Sequence, residues 1–226
     1  MFHKSQYCFR CVCVLWLVMV TGLSSALSTE LPDGVRPLHA AQDNSWTSLI
    51  PRGTLFLNDP ATIESFLRQL EGSPPDWKYL YGSNIDERYD RLLAEMEKRD
   101  AARVGHPMLK QRIAFLWHGS LTSYRPQHKG FGVAIGPAQI TTRWGIVRFK
   151  IAKDPFEMVA VPPANNTLEA IQALRGKGES VEVIILYAGT LMPEESMLYD
   201  FSTETEGEGM ILPIVSLEQV DYVWLP

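Results

Sequence analysis

All three cysteines of this 226-residue chain, Cys8, Cys11 and Cys13, stand before its fourteenth residue. They fall inside a segment with the three-part pattern of an export signal. Lys4 and Arg10 form a basic leader, and no acid precedes Glu30. An apolar run follows from Cys11 to Val20, and Ser24-Ser25-Ala26 supplies the small residues a signal peptidase reads. The run is about half of the ~20 residues needed to span a bilayer. Cleavage after Ala26 is therefore expected; left uncleaved, the stretch to Leu27 serves as a short anchor. Once residues 1–26 are removed, no thiol remains. Disulfides, thiolate metal sites and a cysteine nucleophile are then excluded. Small exported domains often lean on disulfides, but some 200 residues bury enough core to fold without them.

Charge is segregated along the rest of the chain. Residues 27–102 carry 8 basic and 13 acidic residues, and residues 151–226 carry 3 and 13. Between them, residues 103–150 carry 8 basic residues and no Asp or Glu. Such asymmetry marks either a surface for an anionic ligand or a basic block paired with acidic neighbours inside one domain. A hydrophobic content of 46% identifies a globular chain rather than a disordered one.

The pattern divides the chain into a signal (1–26), an extended lead-in (27–51), a helical extension (52–106) and a β domain (107–226). Asn58 or Asp59 caps a first helix, with Pro60 at its first position. Ile63, Phe66, Leu67 and Leu70 give that helix its apolar face, and Gly72-Ser73-Pro74-Pro75 ends it. The aromatic cluster Trp77, Tyr79, Leu80 and Tyr81 follows, as a packed connection. A second helix is predicted over 85–103, with Leu92, Leu93 and Met96 on one face. From Gln111 the period becomes that of strands: 112–117, 132–135 and 144–151, with 158–161 a short strand or edge extension, then 181–187, 210–215 and 220–224. A short helix over 168–175 interrupts them. The fold class is thus α+β.

The order from 111 to 226, three strands, a short helix and further strands, resembles that of exported bacterial OB-fold domains. The run Gly176-Lys177-Gly178-Glu179-Ser180-Val181-Glu182-Val183, the later Gly189-Thr190-Leu191 and the late Leu217-Glu218-Gln219-Val220-Asp221 are similar to the endings of such domains. The resemblance covers about half of the chain and carries no catalytic motif. It implies a small, β-barrel-like (OB-like) domain carrying an N-terminal helical extension.

The search for chemistry yields few candidates. His39, His106, His118 and His128 show no metal-ligand spacing, so neither a metal nor a cofactor is expected. The nucleophile elbow and the phosphate-binding loop are both missing. Gly130-Phe131-Gly132 precedes β-rich sequence rather than a helix, so these glycines read as close strand approaches. Glu194, Glu195 and Asp200 open an acidic run continuing through Glu204, Glu206 and Glu208, which reads as a solvated loop. The most suggestive group is Trp117, His118, Tyr124, Arg125, His128, Lys129, Arg143, Trp144 and Arg148, which interleaves aromatic and basic residues. On an OB-like barrel such a face binds by stacking and by anion contacts. The other reading places the aromatics in the core and pairs the cations with acids.

The expectation is an exported, non-enzymatic binding or accessory protein of the cell envelope, its ligand or partner face on the basic-aromatic hairpin. An envelope protein, a glycan or a small anionic ligand is the expected partner. Nucleic acid is excluded by the acidic, exported character of the chain, and a membrane is a partner only if the signal stays uncleaved. The alternatives are an envelope hydrolase using Asp200, Glu195 or His118, and a purely structural envelope protein.

Overall fold

The computed structural model describes residues 34–40, 45–82, 85–153, 157–200 and 209–224. The predicted signal, residues 27–33 and 41–44 of the lead-in, and Glu204, Glu206 and Glu208 lie outside them. Leu31–Pro226 forms a unit distinct from Met1–Glu30, and the fold below is that of the larger unit.

Six strands close into a barrel: β1 (Val35–Ala40), β8 (Val159–Val161), β4 (Gly130–Ile135), β3 (Ile113–Arg125), β9 (Glu182–Leu191) and β12 (Ile214–Trp224), in that order around the wall. β1 closes it by lying parallel to both β8 and β12. The remaining contacts around the wall are antiparallel. One strand of the predicted lead-in is therefore a stave of the barrel. The closure gives every stave neighbours on two sides over part of its length, so none is left as the free edge of an open sheet. Tyr222 locks the seam: its buried hydroxyl donates to the Gly34 carbonyl at 2.7 Å.

Two short strands flank this wall. β2 (Leu55–Phe56) pairs in parallel with the start of β3, and β7 (Lys150–Ile151) pairs with the start of β12. A separate four-stranded sheet joins β10 (Leu198–Tyr199), β11 (Met210–Ile211), β6 (Gly145–Val147) and β5 (Ile140–Thr142). This corrects two predicted strands. The single strand expected over 144–151 is β6 plus β7, in two different sheets. The strand expected over 210–215 is likewise divided between β11 and β12, and β12 then runs unbroken through 214–224. The two chains stay side by side across the break: the N–H groups of Arg148 and Lys150 donate to the carbonyls of Ile211 and Pro213, both at 2.9 Å. Pro213 has no N–H to return, so the ladder is interrupted there and the pair turns from one sheet to the other.

The helices follow the sequence closely. α1 (Pro60–Glu71) is capped by Asp59, whose carboxylate accepts from the N–H groups of Ala61 at 2.8 Å and Thr62 at 3.0 Å. Those bonds, the one from Thr62 foremost, hold the Asp59 carboxyl below its usual range. Ile63, Phe66, Leu67 and Leu70 are buried in the main core. α2 (Trp77–Tyr81) is one short turn of the predicted aromatic cluster, and α3 (Ile85–Arg103) packs against α1 and α2. α4 (Asn165–Gly176) lies between β8 and β9 and buries Ile171 completely.

Inside the barrel, β3 alternates in the manner a half-buried strand requires. Ile113, Phe115 and Trp117 are buried, whereas His118 faces outward and is exposed. Phe115 stacks on Phe149 at 4.9 Å and on Tyr187 at 5.4 Å, and Trp117 meets Tyr187 edge-on at 4.8 Å. On the outer side, Ala114, Leu186 and Ala188 are covered by Leu49, Ile50, Phe56 and Leu116.

Candidate functional site

The nine residues of the predicted face lie on three segments of the fold. Trp117 and His118 stand early on β3. Tyr124, Arg125, His128 and Lys129 surround the β3–β4 turn, eight residues further along the strand from Trp117 to Arg125, or about 26 Å at 3.3 Å per residue. Arg143 and Trp144 belong to the β5–β6 turn, and Arg148 follows β6 between Val147 and Phe149, which line a cavity together with Trp117 and His118.

Most of the charges at the latter two places meet acids. Arg125 and His128 both approach Glu157, at 3.5 and 3.1 Å. Glu64 of α1 accepts from the Arg143 backbone N–H at 2.8 Å and from its Nε at 2.7 Å. The Arg143 guanidinium, through that hydrogen bond, holds the Glu64 carboxyl below its ordinary value of 4.5. Trp144 is buried at 2% exposure, and Tyr124 packs edge-on against Phe131. Lys129 and Arg148 are exposed. Lys129 adopts a left-handed φ of 52°, at the tight turn into Gly130. Gly130 itself lies against β8, where a Cβ would stand 2.7 Å from the Ala160 carbonyl oxygen. Close strand approach explains this glycine.

The Trp117–His118 place is different, because a cavity of about 330 Å³ opens there. The topology creates it. β2 pairs with Ile113 and Ala114 of β3, and β4 pairs with β3 only from Gly119 onward. Between them, one edge of β3 is left without a neighbouring strand. Leu57 donates to the Ala114 carbonyl and Gly136 to the His118 carbonyl, each at 2.8 Å, and these bonds mark the two sides of the gap. Phe115, Trp117 and Phe149 line it from the barrel interior, and Asn58, Gln139 and His118 add polar groups. No Asp or Glu stands among its lining residues.

Sequence reasoning placed Trp117 and His118 at this site but missed Leu57, Asn58, Pro137, Gln139 and Phe149. Phe149 was legible only as one face of a strand. The others follow the two-residue strand β2 or lie in the loop after β4, whose one sequence signal is the Gly136-Pro137 stop.

Of the hydrolase candidates, His118 lines the cavity and Glu195 and Asp200 do not. Asp200 pairs with Arg88 of α3 at 3.0 Å, and exposed Glu195 follows β9, with its carbonyl accepting from Arg103. Among the described residues, no cluster of three or more His, Cys, Asp or Glu forms a metal site. Nor, among them, is any helix long and apolar enough to cross a membrane. Comparison with protein-family models, with curated proteins and with solved structures found no match.

Proposed function

We propose that this is an exported, non-enzymatic binding protein of the cell envelope, and that its ligand site is the cavity in the barrel wall between β2 and β4. The observation that carries the reading is the gap itself. It combines an aromatic floor of Phe115, Trp117 and Phe149 with polar groups from Asn58, Gln139 and His118. A cavity of about 330 Å³ lies within the size range of small-molecule sites, which pair an apolar lining with a few polar groups in this way. The closed barrel with α4 between β8 and β9 supports an OB-like reading of the domain, in which a barrel wall and its adjoining loops take the ligand.

The reading moves the site to the Trp117–His118 end of the predicted face. Arg125, His128 and Arg143 stabilise the fold through Glu157 and Glu64. A lining without Lys, Arg, Asp or Glu favours a neutral ligand, and without a carboxylate it offers no acid–base pair for hydrolysis. Export rests on the pattern of residues 1–26.

The test is a ligand-observed NMR screen of small aromatic and polar molecules against the purified chain. Molecules that bind are expected to lose binding on Ala138→Trp, which fills the cavity, and to keep it on the double change Arg125→Ala, Arg143→Ala. The reverse pattern would place the site on the basic face.

A further inference from the structure

The hydrogen-bonding pattern along β3 specifies what the gap accepts. Successive residues of a strand direct their N–H and C=O groups to opposite edges. The Ala114 and His118 carbonyls accept from Leu57 and Gly136, on the edge away from β9. Leu116, midway between them, therefore directs both its N–H and its C=O to that same edge. Neither β2 nor β4 reaches it, and among the described residues no backbone group bonds to it there. The gap presents one donor and one acceptor side by side, and a backbone pair of this kind is costly to leave unmade when water is displaced.

Two geometric facts narrow the occupant. First, the open edge from Ala114 to His118 spans four residues, about 13 Å at 3.3 Å per residue. The ends of β2 and β4 close it on both sides, so an extended peptide cannot run along it as an added strand. Second, a trans amide directs its N–H and C=O in opposite directions, so an open-chain ligand needs the two amides flanking one extended residue to meet both Leu116 groups. A ring that carries N–H next to C=O, as a lactam or cyclic imide does, presents both on one edge. A flat ring lying in the plane of the barrel wall would set that edge on Leu116 and turn one face to Phe115, Trp117 and Phe149. Asn58 and Gln139 carry carboxamides for its remaining polar atoms.

We infer that the cavity binds a neutral, flat heterocycle through a lactam edge, the chemistry of a pyrimidinedione or an oxopurine. The inference rests on the cavity being the ligand site. The probes are uracil and hypoxanthine, titrated into the purified chain and followed by backbone amide shifts at Leu116 and Gln139. The control is 1,3-dimethyluracil, which keeps the ring and its carbonyls but has no N–H. Uracil or hypoxanthine is expected to bind and to shift Leu116. The dimethyl compound is expected to bind at least about tenfold more weakly, the loss that one unmade hydrogen bond produces. Ala138→Trp is expected to abolish the shifts. Uridine and its monophosphate then separate the sources: retained binding identifies a nucleoside ligand, and lost binding a free base. Equal affinity for uracil and its dimethyl derivative overturns the lactam edge. So does binding of indole or phenol in the cavity without binding of either lactam, an outcome that leaves the ligand site itself standing. A cavity that takes none of these rings overturns both.

Discussion

The Trp77 indole donates from Nε1 to the Trp144 carbonyl at 2.7 Å, joining α2 to the β5–β6 turn across 67 positions of sequence. The indole also lies against Gly209, where a Cβ would fall about 2 Å from its ring atoms. One side chain thus ties the helical layer to the starts of β6 and β11, the two central strands of the small sheet. Trp77→Phe leaves the Trp144 carbonyl without its donor and is expected to cost about 1–3 kcal/mol. Gly209→Ala drives a methyl group into the indole and is expected to destabilise by about 1–3 kcal/mol through overpacking. Urea unfolding of each variant, followed by far-UV circular dichroism, measures both.

Glu71 at the end of α1 is the anchor of the helical layer. Its side chain is 1% exposed and pairs with Arg99 at 2.7 Å and with Arg103. Arg103 also donates to the Glu195 carbonyl, beyond β9. Glu71→Ala removes the carboxylate shared by two buried guanidinium groups but leaves Glu95 to Arg99 and Asp100 to Arg103, and a loss of about 1–3 kcal/mol is expected. The same unfolding experiment checks it. A loss below about 1 kcal/mol would mean that solvent reaches both arginines freely.

The ion pair between Glu64 and Arg143 gives stability a pH dependence with a defined sign. Arg143 holds the Glu64 carboxyl below its ordinary 4.5 in the folded chain. The unfolded chain therefore takes up this proton first as pH falls. The pair's contribution is complete above the ordinary glutamate value and is lost as pH falls through the lowered one. Glu64→Gln keeps an acceptor for the Arg143 N–H but removes the charge. Its melting temperature is expected to lie below that of the parent at pH 7 and to converge with it as pH falls through the lowered Glu64 value.

The helices were legible in the sequence because their signals are local. Asp59 and Pro60 begin α1, Gly72 ends it, and the apolar spacing from Ile63 to Leu70 names the buried face. The barrel was legible in kind, since Phe115, Val183 and Tyr187 sit in strongly β-forming runs. Its closure was not. β1 joins β8 and β12 through parallel pairing over more than a hundred residues of sequence separation, and no local pattern encodes that partnership. The divided strand at Phe149 was hidden for a similar reason, because the break is imposed by Pro213 on the adjacent chain. The candidate site was half legible. Trp117 and His118 are visible as an aromatic-basic pair, but the gap beside them exists only because β2 ends near Phe56 and β4 pairs no further than Gly119. Arg125 and Arg143 look like members of the same face in sequence, whereas Glu157 and Glu64 hold them at separate places.

The central claim is that the edge of β3 is open at Leu116 and available to a ligand. Amide hydrogen exchange under native conditions tests it directly. The N–H groups of Phe115 and Trp117 point to β9, opposite Tyr187 and Ile185, and serve as internal references. The Leu116 amide is expected to exchange about 100-fold or more faster than either, as an unpaired strand amide does beside paired ones, and to slow when a ligand fills the cavity. Protection of Leu116 equal to that of Phe115 and Trp117 would show the edge already closed, and would contradict the site.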